Sequence, residues 1–293
     1  MGFAKEIIYV YNYVWYGERV LASARYIMSF PVVLFDIDGT LTEPRRVITK
    51  DVIDVLTELA KLVEIGFITG SDLEYVKEQM WPAFEKKLIR DNCHILPCNG
   101  TQYYIPGETP GTFKAVFRTD MYSAIGHVKF QELMKTLLRF QARLSELDDM
   151  PLTGHFIQNR GSTINWCPIG RNAVTGDRQQ FKALDKLYNI RKNYLPQLRR
   201  ELWQAGVDDI TIKLGGSTSF DIYPRGWDKT FAIQHFSKET EFWFIGDSCT
   251  PDGNDYEIFS LLRKEQRSFQ VEGYRDTVEL VEELIGREFM RYE

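Results

Sequence analysis

A run of four apolar residues leads directly into two aspartates in the segment VVLFDIDGTLT at residues 32–42. Such a run is typical of a strand that is buried on both faces in the middle of a parallel sheet. Asp36 and Asp38 follow two positions apart, and side chains alternate along a strand, so both carboxylates are predicted to leave on the same side. Gly39 then permits a sharp turn. The sequence therefore predicts two acids at the carboxyl end of a central strand, where open α/β sheets bind ligands.

The two aspartates carry charges of the same sign. Holding them close together is unfavourable unless a cation offsets the charge or one group is protonated. A hard divalent cation meets this need, and Mg²⁺ fits best because it prefers carboxylate oxygens. Two solvated loop aspartates are the alternative interpretation. The complete run FDIDGTLT at 35–42 favours the metal site over that alternative.

The composition excludes several classes of protein. The 293 residues allow one large domain or two modest ones, and a hydrophobic fraction of 44% supplies a packed core. A formal net charge of −5 without a long run of one sign predicts no binding to nucleic acid. No apolar stretch reaches the length of a membrane span, so we expect no membrane association. The four cysteines show no metal-binding spacing and indicate reduced thiols in a cytoplasmic protein.

Residues 1–27 precede the first predicted strand and are rich in aromatic residues. They lack the clean apolar core and the small-residue cleavage site of a signal peptide. Met28 resembles a natural start immediately ahead of the strand. We therefore interpret residues 1–27 as an N-terminal extension and assign it no function.

A second strand is predicted at 64–68, after apolar residues at helical spacing between 52 and 62. Thr69 and Ser71 follow it at a glycine-containing turn into another helix. Hydroxyl and backbone N–H groups at such a turn form a phosphate-binding concavity. A plain turn with a helix cap explains the same residues. Whether the hydroxyl of Thr69 or that of Ser71 contacts phosphate stays open.

The middle of the chain breaks the alternation of strand and helix. The Asn-Gly pair at 99–100 predicts a hairpin, and residues 105–115, rich in Pro, Gly and Thr, predict a linker between domains. Helical and hairpin patterns then alternate at about 121–147, 154–166, 178–205 and 210–223. Hairpins interleaved with helices predict an α+β cap with an antiparallel sheet. We therefore place a catalytic core at 28–108 and 225–293, and an inserted cap at 109–224.

The last part of the chain returns to the core pattern. Trp227-Asp228-Lys229 opens a helix, and a buried strand at 242–246 ends in Asp247. Asp247 is the best candidate for a further metal ligand, because it is an acid at the end of another apolar strand. In the following loop, Asn254 and Asp255 are expected to support the metal site without binding the ion directly.

These segments resemble the motifs of a known family. FDIDGTLT is similar to the nucleophile motif of the haloacid dehalogenase-like phosphotransferases. ITGSDLEYVKEQM, CPIGR, GGSTSFD, GWDK and GDSCTPDGND together resemble the eukaryotic-type phosphomannomutase branch of that superfamily. The resemblance covers about residues 28–285. It implies an α/β fold, with a Rossmann-like parallel-sheet core and an inserted α+β cap that contains an antiparallel sheet.

The resemblance also implies roles for individual residues. Asp36 would be the phosphorylated nucleophile, Asp38 the general acid/base, and Lys229 the cation that neutralises the phosphoryl oxygens. Mg²⁺ would be held by Asp36, Asp247 and Asp38, the last through its backbone carbonyl. The sugar phosphate would be bound by a further set of residues. They are Arg45, Ser71, Arg160, Arg171, Arg178, Ser219 and Asp221.

The implied activity is a phosphohexomutase that interconverts mannose 6-phosphate and mannose 1-phosphate, as in GDP-mannose biosynthesis. Its expected cofactors are Mg²⁺ and a hexose 1,6-bisphosphate activator, and its expected assembly is a homodimer through the cap. The alternatives are a sugar phosphatase of the same superfamily and a catalytically silent sugar-phosphate-binding protein. Three departures from the branch pattern bear on sugar preference and on mutase activity relative to hydrolysis. They are Gly161-Ser162-Thr163 in place of NGM, Ser248 in place of a lysine, and Arg225 in place of an acid.

Overall fold

The computed structural model describes residues 30–292, so the predicted extension at 1–27 lies outside the described residues. This part of the chain contains eleven strands and nine α-helices. The strands are β1 Val32–Phe35, β2 Glu64–Ile68, β3 Cys93–Leu96, β4 Gln102–Pro106, β5 Phe113–Arg118, β6 Ile157–Asn159, β7 Ile164–Trp166, β8 Ile210–Gly215, β9 Ser219–Pro224, β10 Phe242–Gly246 and β11 Ser268–Gln270. The helices are α1 Lys50–Leu59, α2 Leu73–Phe84, α3 Lys87–Asp91, α4 Met121–Ile125, α5 His127–Ser145, α6 Thr175–Tyr188, α7 Ile190–Gln204, α8 Tyr256–Arg263 and α9 Tyr274–Arg287. Short 3₁₀ segments cover Cys98–Gly100, Lys229–His235 and Phe289–Tyr292.

Seven strands form the larger sheet, in the order β11-β10-β1-β2-β3-β4-β5. The first five are parallel to one another, whereas β4 and β5 are antiparallel. Phe35 at the end of β1 lies level with Ile245 of β10 and with Phe67 of β2. The carboxyl ends of three neighbouring strands therefore meet at one edge, and the residues that follow them are brought together there.

Strand β1 is buried on both faces, as its apolar run predicts. None of its four side chains has exposed area. Val33 and Phe35 pack on one face, in a hydrophobic cluster that includes residues of α1 and α9. Val32 and Leu34 pack on the other face, against residues of β10 and α8. The alternation of side chains along the strand thus supplies both layers of helices with a buried contact.

Four strands form a separate antiparallel sheet, in the order β6-β7-β9-β8. The two hairpins predicted in this region are β6–β7 and β8–β9. Trp166 of β7 stacks on Phe220 of β9 with ring centroids 4.7 Å apart, and these side chains share a hydrophobic cluster with residues of α4 to α7. A mainly parallel sheet combined with a separate antiparallel sheet confirms the predicted α/β fold with its inserted α+β unit.

Each of the two helical patterns predicted here contains two helices. Gly126, with φ of +81°, separates α4 from α5, and Asn189, with φ of 50°, separates α6 from α7. A residue in the left-handed region ends the regular hydrogen-bonding pattern of a right-handed helix. The predicted helical extents are close to those observed.

Residues 105–115 do not form the predicted linker. They comprise the end of β4, the start of β5 and the loop between them, across which the backbone N–H of Gly107 donates to the carbonyl of Thr112 at 2.8 Å. The Pro, Gly and Thr content therefore belongs to a hairpin loop. Strand β5 is part of the seven-stranded sheet, although the sequence assigns residues from 109 onward to the cap. The boundaries of core and cap remain a prediction.

Asn99 and Gly100 form the turn between the antiparallel strands β3 and β4, as predicted. Both residues have left-handed backbones, with φ of 59° and 82°. Gly100 lies so close to Ala232 that an added Cβ would be 2.7 Å from the Cα of that residue. The turn therefore packs directly against the 3₁₀ segment that begins with Lys229.

Gly100→Ala is expected to destabilise the protein more than Gly226→Ala. Both glycines have φ near +80°, so an alanine at either position carries left-handed strain of about 1–2 kcal/mol. At Gly226 nothing lies within 4 Å of an added Cβ, whereas at Gly100 the backbone of Ala232 obstructs it. Overpacking of this kind adds about 1–3 kcal/mol. Urea unfolding of both variants measures the difference, and equal destabilisation would contradict the close approach.

Candidate active site

The buried ammonium of Lys229 lies between two carboxylates. Its Nζ donates to Oδ1 of Asp36 and to Oδ1 of Asp255, and the Lys229 side chain has no exposed area. Asp36 directly follows β1, and its backbone N–H donates to the carbonyl of Ile245 on β10 at 3.0 Å. The three charged groups therefore come from three segments that meet at the carboxyl edge of the larger sheet.

Lys229 is held in place by the segment around it. Oδ1 of Asp228 caps the 3₁₀ segment by accepting from the N–H of Thr230 at 2.9 Å and from its hydroxyl at 2.6 Å. Nδ2 of Asn99 donates to the carbonyl of Trp227 at 3.1 Å. The Asn-Gly turn of the core thus fixes the chain on the N-terminal side of Lys229, which explains why this turn belongs to the site.

A cluster of three carboxylates surrounds the end of β1. One carboxylate oxygen from each of Asp36, Asp247 and Asp255 lies within 4.8 Å of the others. Glycines leave room for two of these groups. A Cβ added at Gly39 would lie 2.5 Å from Oδ2 of Asp247, and a Cβ added at Gly246 would lie 2.6 Å from Oδ2 of Asp255. Neither glycine can be replaced without moving a carboxylate.

The charges of this cluster are unbalanced. Burial raises the pKa of Asp36 to about 7, and Asp255 adds to the rise while Lys229 opposes it. Burial and Asp255 also raise the pKa of Asp247. Burial lowers the pKa of Lys229, but the two carboxylates outweigh it and raise that pKa above its ordinary value. One ammonium cannot neutralise three carboxylates, so the site favours a further cation, and its hard oxygen donors suit Mg²⁺.

The side chain of Asp38 lies outside this cluster. Its Oδ1 accepts from the backbone N–H of Arg45 at 2.9 Å, from the hydroxyl of Tyr75 at 3.0 Å and from Nε2 of Gln79 at 3.3 Å. The amide of Gln79 is oriented in turn, because its Oε1 accepts from Thr42 at 2.8 Å. The carboxylate of Asp38 is thus directed towards α2, and the predicted contribution of Asp38 to the metal site concerns its backbone carbonyl.

The turn after β2 contains the two hydroxyls considered for phosphate binding. Thr69 is buried, and its Oγ1 accepts from the backbone N–H of Ser71 at 3.1 Å. Ser71 is half-buried. Asp72 caps α2 by accepting from the N–H of Tyr75 at 3.0 Å. A turn with a helix cap is therefore present, and the choice between Thr69 and Ser71 as the phosphate contact remains open.

Three arginines gather at the antiparallel sheet. Arg178 donates to Thr218 Oγ1 at 3.1 Å and to the carbonyl of Arg171 at 3.2 Å. Burial lowers the pKa of Arg171, and the nearby charges of Arg160 and Arg178 lower it further. Like charges that are held close together and partly out of water favour a bound anion.

A polar chain connects this arginine group to β9. Nη1 of Arg171 donates to Oδ1 of Asn165 at 2.8 Å, and Nδ2 of Asn165 donates to Oδ1 of Asp221 at 2.6 Å. Asn165 and Asp221 are register partners on β7 and β9. Ser219 is engaged separately, since its hydroxyl donates to the carbonyl of Gly215 at 3.0 Å. Arg178, Arg171 and Asp221 therefore belong to one hydrogen-bonded group, and Arg160 is close enough for its charge to act on Arg171.

Polar contacts connect the antiparallel sheet to the larger one. Nζ of Lys213 on β8 donates to Oε1 of Glu257 on α8 at 2.5 Å. Burial raises the pKa of Cys98, and the neighbouring Ser162 and Arg160 oppose this rise. The β6–β7 turn, with Arg160 beside it, is therefore near the Asn-Gly turn of the core.

The structure brings together part of the predicted site and leaves the assigned roles as predictions. Asp36, Lys229 and Asp247 meet at one edge of the larger sheet, Asp38 and the exposed Arg45 adjoin them, and Ser71 follows β2. The other predicted substrate residues belong to the antiparallel sheet and the segments beside it. They are Arg160, Arg171, Arg178, Ser219 and Asp221.

Sequence reasoning missed several neighbours of these groups. Asp255 is expected only to support a metal, yet it binds Lys229 directly. Tyr75 and Gln79 are four residues apart and therefore share one face of α2, which is the signal that could have linked them. Asn165 is a polar residue between two apolar strand residues, and alternation would have placed it on the opposite face from them.

Comparison of structures shows the class of the fold. A haloacid dehalogenase-like hydrolase from Bacteroides thetaiotaomicron is similar with a TM-score of 0.51 and 13% identity, over 87% of this chain and 99% of that chain. The N-terminally truncated IMP-nucleotidase of Plasmodium falciparum gives a TM-score of 0.59 and 13% identity, over 88% and 70% of the two chains. These likenesses concern the fold alone, and they confirm the predicted haloacid dehalogenase-like architecture.

Comparison of sequences shows the family. Residues 52–287 match the family described as eukaryotic phosphomannomutase. The phosphomannomutase of Saccharomyces cerevisiae is 36% identical over 257 residues, which cover 87% of this chain and 94% of that protein. The phosphomannomutase of Dendrobium officinale is 36% identical over 233 residues, or 79% and 86% of the two chains. The chain belongs to the eukaryotic phosphomannomutase family, as its motifs predict.

Among residues 30–292, no helix combines the length and the apolar character needed to cross a bilayer.

Lys229→Met is expected to lower the free energy of unfolding by about 3–5 kcal/mol, because it leaves the buried carboxylates of Asp36 and Asp255 without a counter-charge. Lys50→Met is the matched control. Lys50 pairs with Asp54 on the surface, where the two side chains are 84% and 51% exposed, so its loss should change stability by at most about 1 kcal/mol. Urea unfolding at about pH 8 measures both, and similar values would contradict the role given to the buried ammonium.

Proposed function

We propose that this chain interconverts mannose 6-phosphate and mannose 1-phosphate through a phosphorylated Asp36 and a hexose 1,6-bisphosphate. The observation that carries the proposal is the buried ion pair of Asp36 and Lys229 at the end of β1, in a chain of the eukaryotic phosphomannomutase family. Phosphoryl transfer to a carboxylate needs a nucleophile, an acid/base group and positive charge around the transferred group. The carboxyl edge of the larger sheet contains a candidate for each of these three groups.

The reaction consists of two transfers that involve Asp36. Phosphorylated Asp36 first gives its phosphoryl group to the free hydroxyl of a hexose monophosphate, while Asp38 removes the proton of that hydroxyl. The resulting bisphosphate reorients. The carboxylate of Asp36 then attacks the other phosphate, the bond from phosphorus to the sugar oxygen breaks, and Asp38 returns a proton to that oxygen. Lys229 neutralises charge on the phosphoryl oxygens during both transfers.

The acidic cluster supports a bound Mg²⁺. Asp36 and Asp247 would hold it through their carboxylates and Asp38 through its backbone carbonyl, while Asp255 binds Lys229 and accepts from the N–H of Ser248 at 3.0 Å. When bound, the ion supplies positive charge that balances the carboxylates and the transferred phosphoryl group. A hexose 1,6-bisphosphate taken from solution would phosphorylate Asp36 initially, which is the role of an activator.

The arginine group of the antiparallel sheet supports binding of the phosphate that is not reacting. Arg160, Arg171 and Arg178 would hold it, with Arg45 approaching from the core side. Guanidinium groups suit this task because they bind phosphate through two parallel hydrogen bonds. Ser219 and Asp221 would contact the phosphate and the sugar hydroxyls, and Thr69 or Ser71 the phosphate at the core.

Assembly and location complete the proposal. A homodimer through the cap is supported by the family resemblance and by large apolar side chains that are exposed on its helices. They include Val128, Leu138, Leu187 and Trp203. A cytoplasmic location is supported by four cysteines that are all free and buried.

The test of the proposed function is an assay with mannose 1-phosphate, with and without a hexose 1,6-bisphosphate. Formation of mannose 6-phosphate that depends on the bisphosphate is the expected result. Asp36→Asn should remove it by roughly three orders of magnitude or more, because covalent catalysis is lost, whereas the surface control Asp54→Asn should retain it. Release of free phosphate alone would indicate a sugar phosphatase, and no reaction would indicate a silent binding protein.

Binding of Mg²⁺ is expected to release a proton below pH 7. The pKa of Asp36 is raised to about 7, and the ion binds the carboxylate form, so the proton must leave. Roughly nine-tenths of a proton from Asp36 should be released at about pH 6, and less than a tenth at about pH 8.5. Calorimetric titration in two buffers of different ionisation enthalpy measures this number. Asp36→Asn is the control that should remove the pH-dependent part, and the same release at both pH values would contradict the assignment.

Arg171→Ala is expected to slow turnover of hexose phosphates while sparing hydrolysis of a small phosphate ester. Loss of one charge-assisted contact costs about 1.5–3 kcal/mol, or roughly ten- to a hundredfold. A small ester does not reach the antiparallel sheet, so its rate should be unchanged. Arg200→Ala, at an exposed position on α7, is the control. An equal loss on both substrates would mean that Arg171 supports the fold, and its proposed contact with phosphate would be wrong.

A further inference from the structure

One carboxylate oxygen of the proposed acid/base receives all the hydrogen bonds that the structure describes for that side chain. Oδ1 of Asp38 accepts from the N–H of Arg45, from the hydroxyl of Tyr75 and from Nε2 of Gln79, at 2.9, 3.0 and 3.3 Å. Among residues 30–292, no such bond is described for Oδ2. The two oxygens of this carboxylate are therefore in different surroundings.

Tyr75 differs from the other two donors, because the N–H of Arg45 belongs to the backbone and the side chain of Gln79 is also bound to Thr42. The phenol of Tyr75 reaches Asp38 from the first turn of α2 and is half-buried. A phenol has a single O–H, and Tyr75 donates it to Oδ1 of Asp38.

We propose that Tyr75 is a positioning residue for Asp38, which it holds through Oδ1 so that Oδ2 exchanges the proton with the substrate. This inference rests on the proposed function, because it assigns the orientation of the acid/base in the same reaction. Neither the predicted site nor the family resemblance assigns a role to Tyr75. A phenol that only filled space between α2 and the loop at 43–46 would be replaced by phenylalanine without loss.

The hydrogen bond changes strength during each transfer. When the bond from phosphorus to the sugar oxygen breaks and the bond to Asp36 forms, Oδ2 of Asp38 gives its proton to the leaving oxygen. Asp38 becomes a carboxylate, and a donor to an ionised acceptor binds about twice as strongly as a donor to a neutral one. In the opposite transfer, Oδ2 takes the proton of the attacking hydroxyl. Tyr75 exchanges no proton and contacts no reacting atom.

The role can be tested by comparing two phosphate donors whose leaving groups differ in acidity. A sugar oxygen must be protonated as it leaves, whereas 4-nitrophenolate leaves without a proton. In single-turnover experiments, Tyr75→Phe should slow phosphorylation of Asp36 by a hexose 1,6-bisphosphate by about tenfold or more. The burst of 4-nitrophenolate from 4-nitrophenyl phosphate should stay within about twofold of the unmodified protein. Tyr188→Phe removes a hydroxyl from a side chain that is 61% exposed and is the matched control.

A double-mutant cycle with Asp38→Asn gives a second measurement. If Tyr75 acts through Asp38, then Tyr75→Phe should change phosphorylation by the hexose bisphosphate by less than about twofold when Asp38 is already replaced. Urea unfolding of each variant shows whether the fold is retained.

The outcomes are distinct. Equal slowing with both phosphate donors, or an undiminished loss in the Asp38→Asn background, would overturn the positioning role and leave Tyr75 as a structural residue. Failure of the unmodified protein to become phosphorylated by either donor would instead overturn the proposed function. A loss that is confined to the sugar substrate and absent without Asp38 would support the inference.

Discussion

The buried ammonium of Lys229 between Asp36 and Asp255 is the interaction on which the rest of the structure depends. Removing a charge from water costs several kcal/mol, and partners at short range must offset that cost. Here Asp36 follows β1, Asp255 lies in the loop after β10, and Lys229 belongs to a third segment. The register of β1 with β10 and the contact of Gly100 with Ala232 bring these three charged groups together. A sheet that lacked either feature would leave a buried charge without a partner.

The two sheets carry groups of opposite charge. The carboxyl edge of the larger sheet has an excess of carboxylates, and the antiparallel sheet has a group of arginines. Burial and the nearby Asp255 raise the pKa of Asp36, while burial and the nearby Arg160 and Arg178 lower the pKa of Arg171. A phosphate at the core edge needs a cation beside it, whereas a phosphate at the arginines needs none. A hexose bisphosphate has a phosphate at each end. It can therefore be held in either direction, and a mutase requires this property, because the same two positions must accept both ends of the sugar in turn.

The sequence predicts this structure best where a pattern has one physical explanation. The apolar run before Asp36 predicts a strand buried on both faces, and hairpins interleaved with helices predict a separate antiparallel sheet. The prediction of a linker at 105–115 is wrong, because Pro, Gly and Thr are as typical of a hairpin loop as of a connection between domains. The contact between Asp255 and Lys229 could not be predicted, since it joins a loop acid to a lysine 26 positions away through the packing of the whole sheet. Spacing along the chain gives no information on such a contact.

The junction between the two sheets combines a wet ion pair with apolar contacts beside Lys229. Each sheet has its own hydrophobic cluster, but Trp227 and Phe231, from the segment around Lys229, pack in the cluster of the antiparallel sheet. The pair of Lys213 and Glu257 crosses the junction, but the two side chains keep 25% and 30% of their exposure, and pairs that remain in contact with water contribute about 0–1 kcal/mol. A bisphosphate that must turn end over end needs space that a closed cleft does not provide. The polar contacts of the junction can open at low cost in free energy, whereas full separation of the two sheets would also expose Trp227 and Phe231. Because these two side chains flank Lys229, the apolar contacts tie the reacting groups of the larger sheet to the sheet that carries the arginines.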